Sequence, residues 1–165
     1  MSLQVRSPAP DFTLPALLGN EETSISLSAH KGKWVVFAWY PKDDTAVCLS
    51  ELPVFSSLKS DLTERNAVLL AASTQDVDSK KAWVAGDLGS LDIPLGADVG
   101  GKVAADYGIL LDMGLSLRAT FIIDPEGILR WQCVHDLPIG RNSGEIVRVL
   151  DALQTGGACL VDWTR

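Results

Sequence analysis

Trp34-Val35-Val36-Phe37-Ala38-Trp39-Tyr40-Pro41-Lys42-Asp43-Asp44-Thr45-Ala46-Val47-Cys48-Leu49-Ser50-Glu51 is the stretch whose reading decides the fold. Its first third is a short apolar run rich in valine and aromatic residues, which predicts a strand buried on both faces. Pro41 and the polar residues after it end that strand. A helical pattern follows from Cys48 to about residue 62. A cysteine therefore stands where a buried strand passes, through a polar loop, into a helix N-terminus. Backbone N–H groups are unpaired there and the helix dipole favours negative charge. A thiol so placed tends toward the thiolate, its nucleophilic form.

Working outward, strand and helix alternate. Residues 12–15 and 23–27 predict short N-terminal strands, 33–40 and 67–73 buried strands, and 48–63 and 76–85 helices. A short helix over 99–107 is ended by Gly108, and 118–124 and 128–134 read as two further strands. Between these last two, Asp124-Pro125-Glu126-Gly127 is turn chemistry: proline presets φ and glycine accepts positive φ. A final helix over 143–153 places Ile146, Val149, Leu150 and Leu153 near one face. The pattern implies an α/β chain with crossover helices and a central mixed sheet closed by an antiparallel hairpin. We expect one domain over 1–165, with 155–165 as a tail carrying Cys159 and Trp163.

With 165 residues, 47% of them apolar and 21% charged, the chain is long enough for one substantial core. The formal charge is −7 and the basic residues form no stripe, which argues against nucleic acid and anionic membranes as partners. No apolar run approaches the ~20 residues of a membrane span. The first six residues contain no apolar stretch of the secretory kind. Three cysteines, Cys48, Cys133 and Cys159, form neither a disulfide framework nor a zinc-ligand spacing. Reduced thiols in a cytoplasmic setting are expected, with any disulfide transient and catalytic, and no cofactor or metal.

Several side chains near Cys48 have a chemical reading and a plainer one. Pro41 rigidifies the loop and could wall the sulfur from solvent, or simply end the strand. Thr45, three residues before the cysteine, offers a hydroxyl to a small oxygen compound, or serves as a helix cap. The charged loop Lys42-Asp43-Asp44 reads as surface, which argues that Cys48 is not an inert core thiol. Two carboxylates so near a thiolate call for a cation. Arg118 opens a strand expected beside 33–40 and is one candidate; Arg141 is another. Cys133, in Trp131-Gln132-Cys133-Val134, reads as a mid-strand core residue. His30 and His135 read as structural or surface residues.

Taken together, Pro41-x-x-x-Thr45-x-x-Cys48 resembles the active-site signature of the peroxiredoxins, thiol peroxidases on a thioredoxin-type fold. Ala9-Pro10-Asp11-Phe12-Thr13-Leu14-Pro15 resembles that family's opening segment, and Phe37-Ala38-Trp39-Tyr40-Pro41 its aromatic strand end. Arg118-Ala119-Thr120-Phe121-Ile122-Ile123-Asp124-Pro125 resembles the strand with its active-site arginine. Asp136-Leu137-Pro138-Ile139-Gly140-Arg141, together with Trp83 and Glu51, is similar to the typical 2-Cys branch. Gly157-Ala158-Cys159-Leu160-Val161-Asp162-Trp163 resembles that branch's resolving-cysteine segment.

The resemblance implies a thioredoxin-like fold with an N-terminal β-hairpin extension. It also implies a hydroperoxide substrate, a thioredoxin-like or flavoprotein disulfide reductase as reductant, and a homodimer that could assemble into a ring. Cys48, Cys159, Thr45, Arg118 and Pro41 would be the catalytic set, supported by Tyr40, Glu51, Arg141 and Trp83. A one-cysteine peroxidase resolved by an external thiol, and a redox sensor or holdase on the same fold, are the alternatives. A thioredoxin-type oxidoreductase would need CxxC, where this chain has Cys48-Leu49-Ser50-Glu51.

Two departures from the family pattern stand out. Leu49 and Leu160 each replace the proline usual after the family's two cysteines. The chain runs six residues past Cys159, and Gly86-Asp87-Leu88-Gly89 only partly resembles the loop of peroxide-sensitive members. That pattern implies resistance to overoxidation.

Ionisation alone would be a minor source of rate. A thiol with a pKa of about 8.5 is about 3% thiolate at pH 7, so complete ionisation gains roughly 30-fold. Enzymes generally supply about 10⁶-fold or more. Orienting the peroxide and stabilising charge as the O–O bond breaks must carry the rest.

Overall fold

The computed structural model describes residues 3–165; the first two residues of the N-terminal stretch lie outside the described residues. A seven-stranded mixed sheet runs through the molecule in the order β2-β1-β5-β4-β3-β6-β7. The strands are β1 (Thr13–Leu18), β2 (Glu21–Ser26), β3 (Trp34–Trp39), β4 (Ala67–Ser73), β5 (Leu95–Ala97), β6 (Arg118–Ile123) and β7 (Leu129–His135). The central strands β3, β4 and β5 are parallel. The β1–β2 hairpin joins one side through an antiparallel β1–β5 pairing, and the β6–β7 hairpin joins the other through β3.

Strand β3 shows why the apolar run has no visible alternation. Val36, Ala38 and, just beyond the strand, Tyr40 face one core; Val35, Phe37 and Trp39 face the other. Both sheet faces are covered, so both sets are apolar. Helices α1 (Ala46–Ser57), α2 (Lys59–Glu64), α3 (Val77–Trp83) and α5 (Ser143–Gln154) contribute to the Tyr40 side, while α4 (Lys102–Asp106) contributes to the other. Cys48 lies on the Tyr40 side with Leu52 and Phe55 of α1.

The expected elements are present with ends shifted by a few residues, α4 for instance spanning Lys102–Asp106 rather than 99–107, and three larger differences. The helix read as 48–63 begins at Ala46 and breaks at Leu58 into α1 and α2. The helix read as 76–85 stops at Trp83 and passes into a π turn, Val84–Leu88, because Gly86 leaves helical geometry at φ −97° and ψ −122°. Strand β5 escaped the sequence reading: three residues cannot display a period. It exists because β1 and β4 pair with it from both sides. Gly96 at its centre is closely packed: a Cβ there would stand 2.8 Å from Ile25 Cδ1, which would have to shift, and 3.3 Å from the Ala71 carbonyl oxygen.

Side-chain caps fix two helix starts. Asp76 accepts the Ser79 N–H at 2.8 Å and Asn142 accepts the Glu145 N–H at 3.0 Å. No side chain caps the start of α1.

Candidate active site

Strand β3 ends at Trp39, and the 40–45 segment turns the chain into α1. Pro41 is buried, Lys42 and Asp44 are exposed, and Asp44 takes the left-handed conformation at φ +60°. Thr45 is the N-cap residue of α1, with extended backbone. Its hydroxyl donates back to the Lys42 carbonyl at 3.0 Å rather than capping the helix. Cys48 follows as the third residue of α1 and is fully buried.

The cation that the sequence required comes from β6. Antiparallel pairing sets Ala119 opposite Trp39, so Arg118 stands beside the end of β3. Arg118 Nη1 lies 3.4 Å from Cys48 Sγ and donates to Glu51 Oε1 at 2.6 Å. Nε and Nη2 both donate to the Leu137 carbonyl, at 3.2 and 2.6 Å, so the guanidinium is clamped from two directions.

Of the two candidate arginines, only Arg118 touches the sulfur. Arg141 instead grips Glu51: its backbone N–H and Nε donate to Oε2, and Nη2 donates to Oε1, each at 2.8 Å. A further bond from Nη1 to the Ala119 carbonyl and the face of Phe55 at 4.8 Å complete its seat. Glu51 is three residues after Cys48 and hence on the same helix face. Burial pushes the Glu51 carboxyl up, but the hydrogen bonds and charge of Arg141, with Arg118 adding, leave it below the ordinary value.

Two expectations are corrected here. The loop 42–44 was expected at the surface throughout, but Asp43 is only 3% exposed. Its carboxylate accepts the Tyr40 hydroxyl at 2.7 Å and pairs with Lys80 of α3, so long-range partners stabilise a charge that composition assigned to solvent. Cys133 was expected in the core, yet it is half-buried, because β7 is an edge strand with only β6 beside it.

Tyr40 itself is fully buried. Burial first, then the Asp43 charge, holds its phenol well above the ordinary value. Trp83 packs at 5.9 Å from the Tyr40 ring, and its indole N–H has no partner. Cys159 lies in the tail beyond α5, half-buried, with Thr155 Oγ1 at 3.5 Å and the Ala152 carbonyl at 3.6 Å. Arg148 donates to the Trp163 carbonyl at 3.0 Å and ties that tail to α5. His135 Nδ1 is 3.1 Å from the Ile139 carbonyl, a structural contact. Lys80 and the Leu137 carbonyl were missed from sequence. Nothing local separates Lys80 from Lys81 beside it, and a carbonyl has no residue signature.

Residues 5–132 match the AhpC/TSA family. The chain belongs to the AhpC/TSA family, the peroxiredoxins. It is 42% identical over 173 residues to peroxiredoxin tpx1 of Schizosaccharomyces pombe, covering 99% of this chain and 90% of that one. It is 39% identical over 171 residues to a thioredoxin peroxidase of Fasciola hepatica, covering 98% and 88%. A reduced 2-Cys peroxiredoxin from Plasmodium vivax superposes with a TM-score of 0.92 at 33% identity, over 97% of this chain and 89% of that one. The thioredoxin-like fold expected from the sequence is thus the fold of this peroxiredoxin, and its class of activity is peroxidase. No helix among the described residues is long and apolar enough to cross a membrane.

Proposed function

We propose that this peroxiredoxin reduces hydrogen peroxide and organic hydroperoxides in two steps shared between subunits of a homodimer. The observation that carries the reading is the buried Cys48 sulfur, 3.4 Å from Arg118 Nη1, at a helix start that no side chain caps. The Cys48 thiolate attacks the terminal peroxide oxygen. The O–O bond breaks, sulfenic acid forms on Cys48, and the other oxygen leaves with a proton as water or alcohol. The developing charge on that oxygen is met by Arg118 and the free N–H groups of the first turn of α1. Thr45 and Pro41 shape the peroxide's seat. Glu51 and Arg141 act through Arg118, holding its guanidinium in register.

Cys159 of the partner subunit then condenses with the sulfenic acid, releasing water and forming an intersubunit disulfide. A thioredoxin-like dithiol, or a flavoprotein disulfide reductase, restores both thiols by exchange. The open edge of β7 supports the homodimer: it carries Val134, 47% exposed, and leads to Ile139, 56% exposed. A reducing, cytoplasmic setting suits the three free thiols.

The test is a non-reducing gel after one equivalent of peroxide. A dimer band lost in both Cys48→Ser and Cys159→Ser, but kept in Cys133→Ser, is the expected result. A wild type that consumes peroxide with a thioredoxin system but shows no dimer band would instead be a one-cysteine peroxidase.

A further inference from the structure

Asp43 and Lys80 are charged residues with almost no solvent, and the chemistry above uses neither. Lys80 has no exposed surface and Asp43 is 3% exposed. Neighbouring Lys81 is the ordinary case, its exposed side chain paired with exposed Glu22. The Lys80 ammonium donates to Ser73 Oγ at 2.8 Å and to the Gln75 carbonyl at 2.9 Å. Its third partner is the Asp43 carboxylate, at 3.4 and 3.5 Å. All three of its protons are therefore taken.

Asp43 is equally well partnered. Its carboxylate accepts from Tyr40 Oη at 2.7 Å, Ser73 Oγ at 2.9 Å and Ser79 Oγ at 2.7 Å. Its backbone N–H donates to Gln75 Oε1 at 2.9 Å. A buried ion pair is rarely kept for stability alone, since neutral residues of similar volume often serve as well or better. This pair ties the end of β4 and the start of α3 to the loop that precedes Cys48. The Tyr40 ring closes the unit, with Lys80 Nζ at 5.9 Å from its centre, and Tyr40 and Cys48 share one core.

We propose that Lys80 is a positioning residue for the Cys48 reaction. It anchors Asp43, and with it the 41–45 loop and the start of α1, and it neutralises a carboxylate that is linked to the Cys48 core through the Tyr40 hydroxyl. The proposal rests on the peroxidase reading for its kinetic consequence, though not for its electrostatic one. The charged and titratable groups about Cys48 are Arg118 from β6, Glu51 from α1 with Arg141 behind it, and Tyr40 after β3, whose hydroxyl donates in turn to Asp43 of the loop. About Lys80 they are Asp43, Asp76 at the start of α3, and Tyr40. Among the described residues no other cation hydrogen-bonds Asp43, so removing Lys80 leaves that carboxylate uncompensated beside Tyr40, the residue it shares with the Cys48 core.

The experiment uses full-length protein carrying Cys133→Ser and Cys159→Ser, so that Cys48 alone is alkylated. Lys80→Met is compared with Lys80→Met/Asp43→Asn and with the same protein having Lys80 and Asp43 intact. Two quantities are read: the pH midpoint of iodoacetamide alkylation, and the second-order rate of Cys48 with hydrogen peroxide. Lys80→Met is expected to raise the midpoint by about one pH unit, as an unpaired neighbouring carboxylate does. It should also slow the peroxide reaction at least about tenfold above that midpoint, a loss of geometry rather than of ionisation.

The double variant should return the midpoint to its starting value while the peroxide rate stays slow, because the charge is gone but the anchor is not restored. A folded Lys80→Met with unchanged midpoint and rate would overturn the proposal. So would a double variant that keeps the displaced midpoint, or one that recovers the full rate. If Lys80→Met fails to fold, the double variant decides by the same two readings. If the intact protein does not consume peroxide, the functional reading fails while the alkylation midpoints still test the electrostatic role of Lys80.

Discussion

Replacing Leu49 by proline should loosen the first turn of α1 and speed the release of Cys48 from its pocket. Leu49 N–H donates to the Thr45 carbonyl at 2.8 Å, the bond that closes this turn. On its other side the ladder is already interrupted, because Pro53 has no N–H to offer the Leu49 carbonyl. Within this first turn the Leu49 bond therefore counts for much, beside the packing of the half-buried Leu49 side chain and of buried Cys48 in the Tyr40–Leu52 core.

Proline at 49 removes that bond, which contributes about 1 kcal/mol net. It also disfavours helical backbone at Cys48 and gives up part of the leucine's burial, together about another 1 kcal/mol. Against this, proline restricts the opened turn and returns about 0.4–1 kcal/mol. The balance is about 1–2 kcal/mol toward opening, or roughly 5–30-fold in the local equilibrium. Hydrogen exchange at Ser50, Glu51 and Leu52 reads this directly, and the rate of disulfide formation after one equivalent of peroxide should rise in step. Leu49→Pro with unchanged exchange at those amides would refute the reasoning, since it would show that the Leu49 bond does not hold the turn.

Arg118→Ala or Thr45→Val should slow peroxide reduction by far more than the roughly 30-fold that complete loss of thiolate could explain. Stopped-flow rates set against alkylation rates of the same variants separate the two effects. Glu51→Gln leaves the buried guanidiniums of Arg118 and Arg141 without their carboxylate and should destabilise the fold by about 3–5 kcal/mol at pH 7, measured by urea unfolding. Because the folded Glu51 pKa lies below its ordinary 4.5, its contribution is complete above pH 4.5 and is lost as pH falls through the lower folded value. The gap between wild type and Glu51→Gln should therefore narrow in that acid window and stay constant above it. Arg148→Ala removes the donor to the Trp163 carbonyl and should free the tail, seen as faster alkylation of Cys159 in a Cys48→Ser/Cys133→Ser background.

Local chemistry made much of this peroxiredoxin legible before any contact was known. Strand β4 ran from Ala67 to Ser73 as read, and α5 began at Ser143 as the periodic apolar residues after it implied. Proline, glycine and side-chain caps act within a few residues, so their effects can be read in order along the chain. Cys48 at a strand-to-helix junction belonged to the same class of inference. The Pro41, Thr45 and Arg118 pattern added the family resemblance.

What only the tertiary structure decided was the fate of charge. From the residues alone Arg118 and Arg141 were both candidates, and only the family resemblance favoured Arg118; antiparallel β3–β6 pairing brings Arg118 to the sulfur, and the chain after β7 brings Arg141 to Glu51. Asp43 was read as part of a surface loop and became half of a buried pair with Lys80, 37 positions away. A charge is stable wherever its partners are, and partners brought together by folding leave no mark in the residues beside it. The sequence by itself determined most of the elements and the place of Cys48 at a strand-to-helix junction, because those follow from neighbours along the chain. The structure decided what surrounds that thiol, because an ion pair depends on neighbours in space.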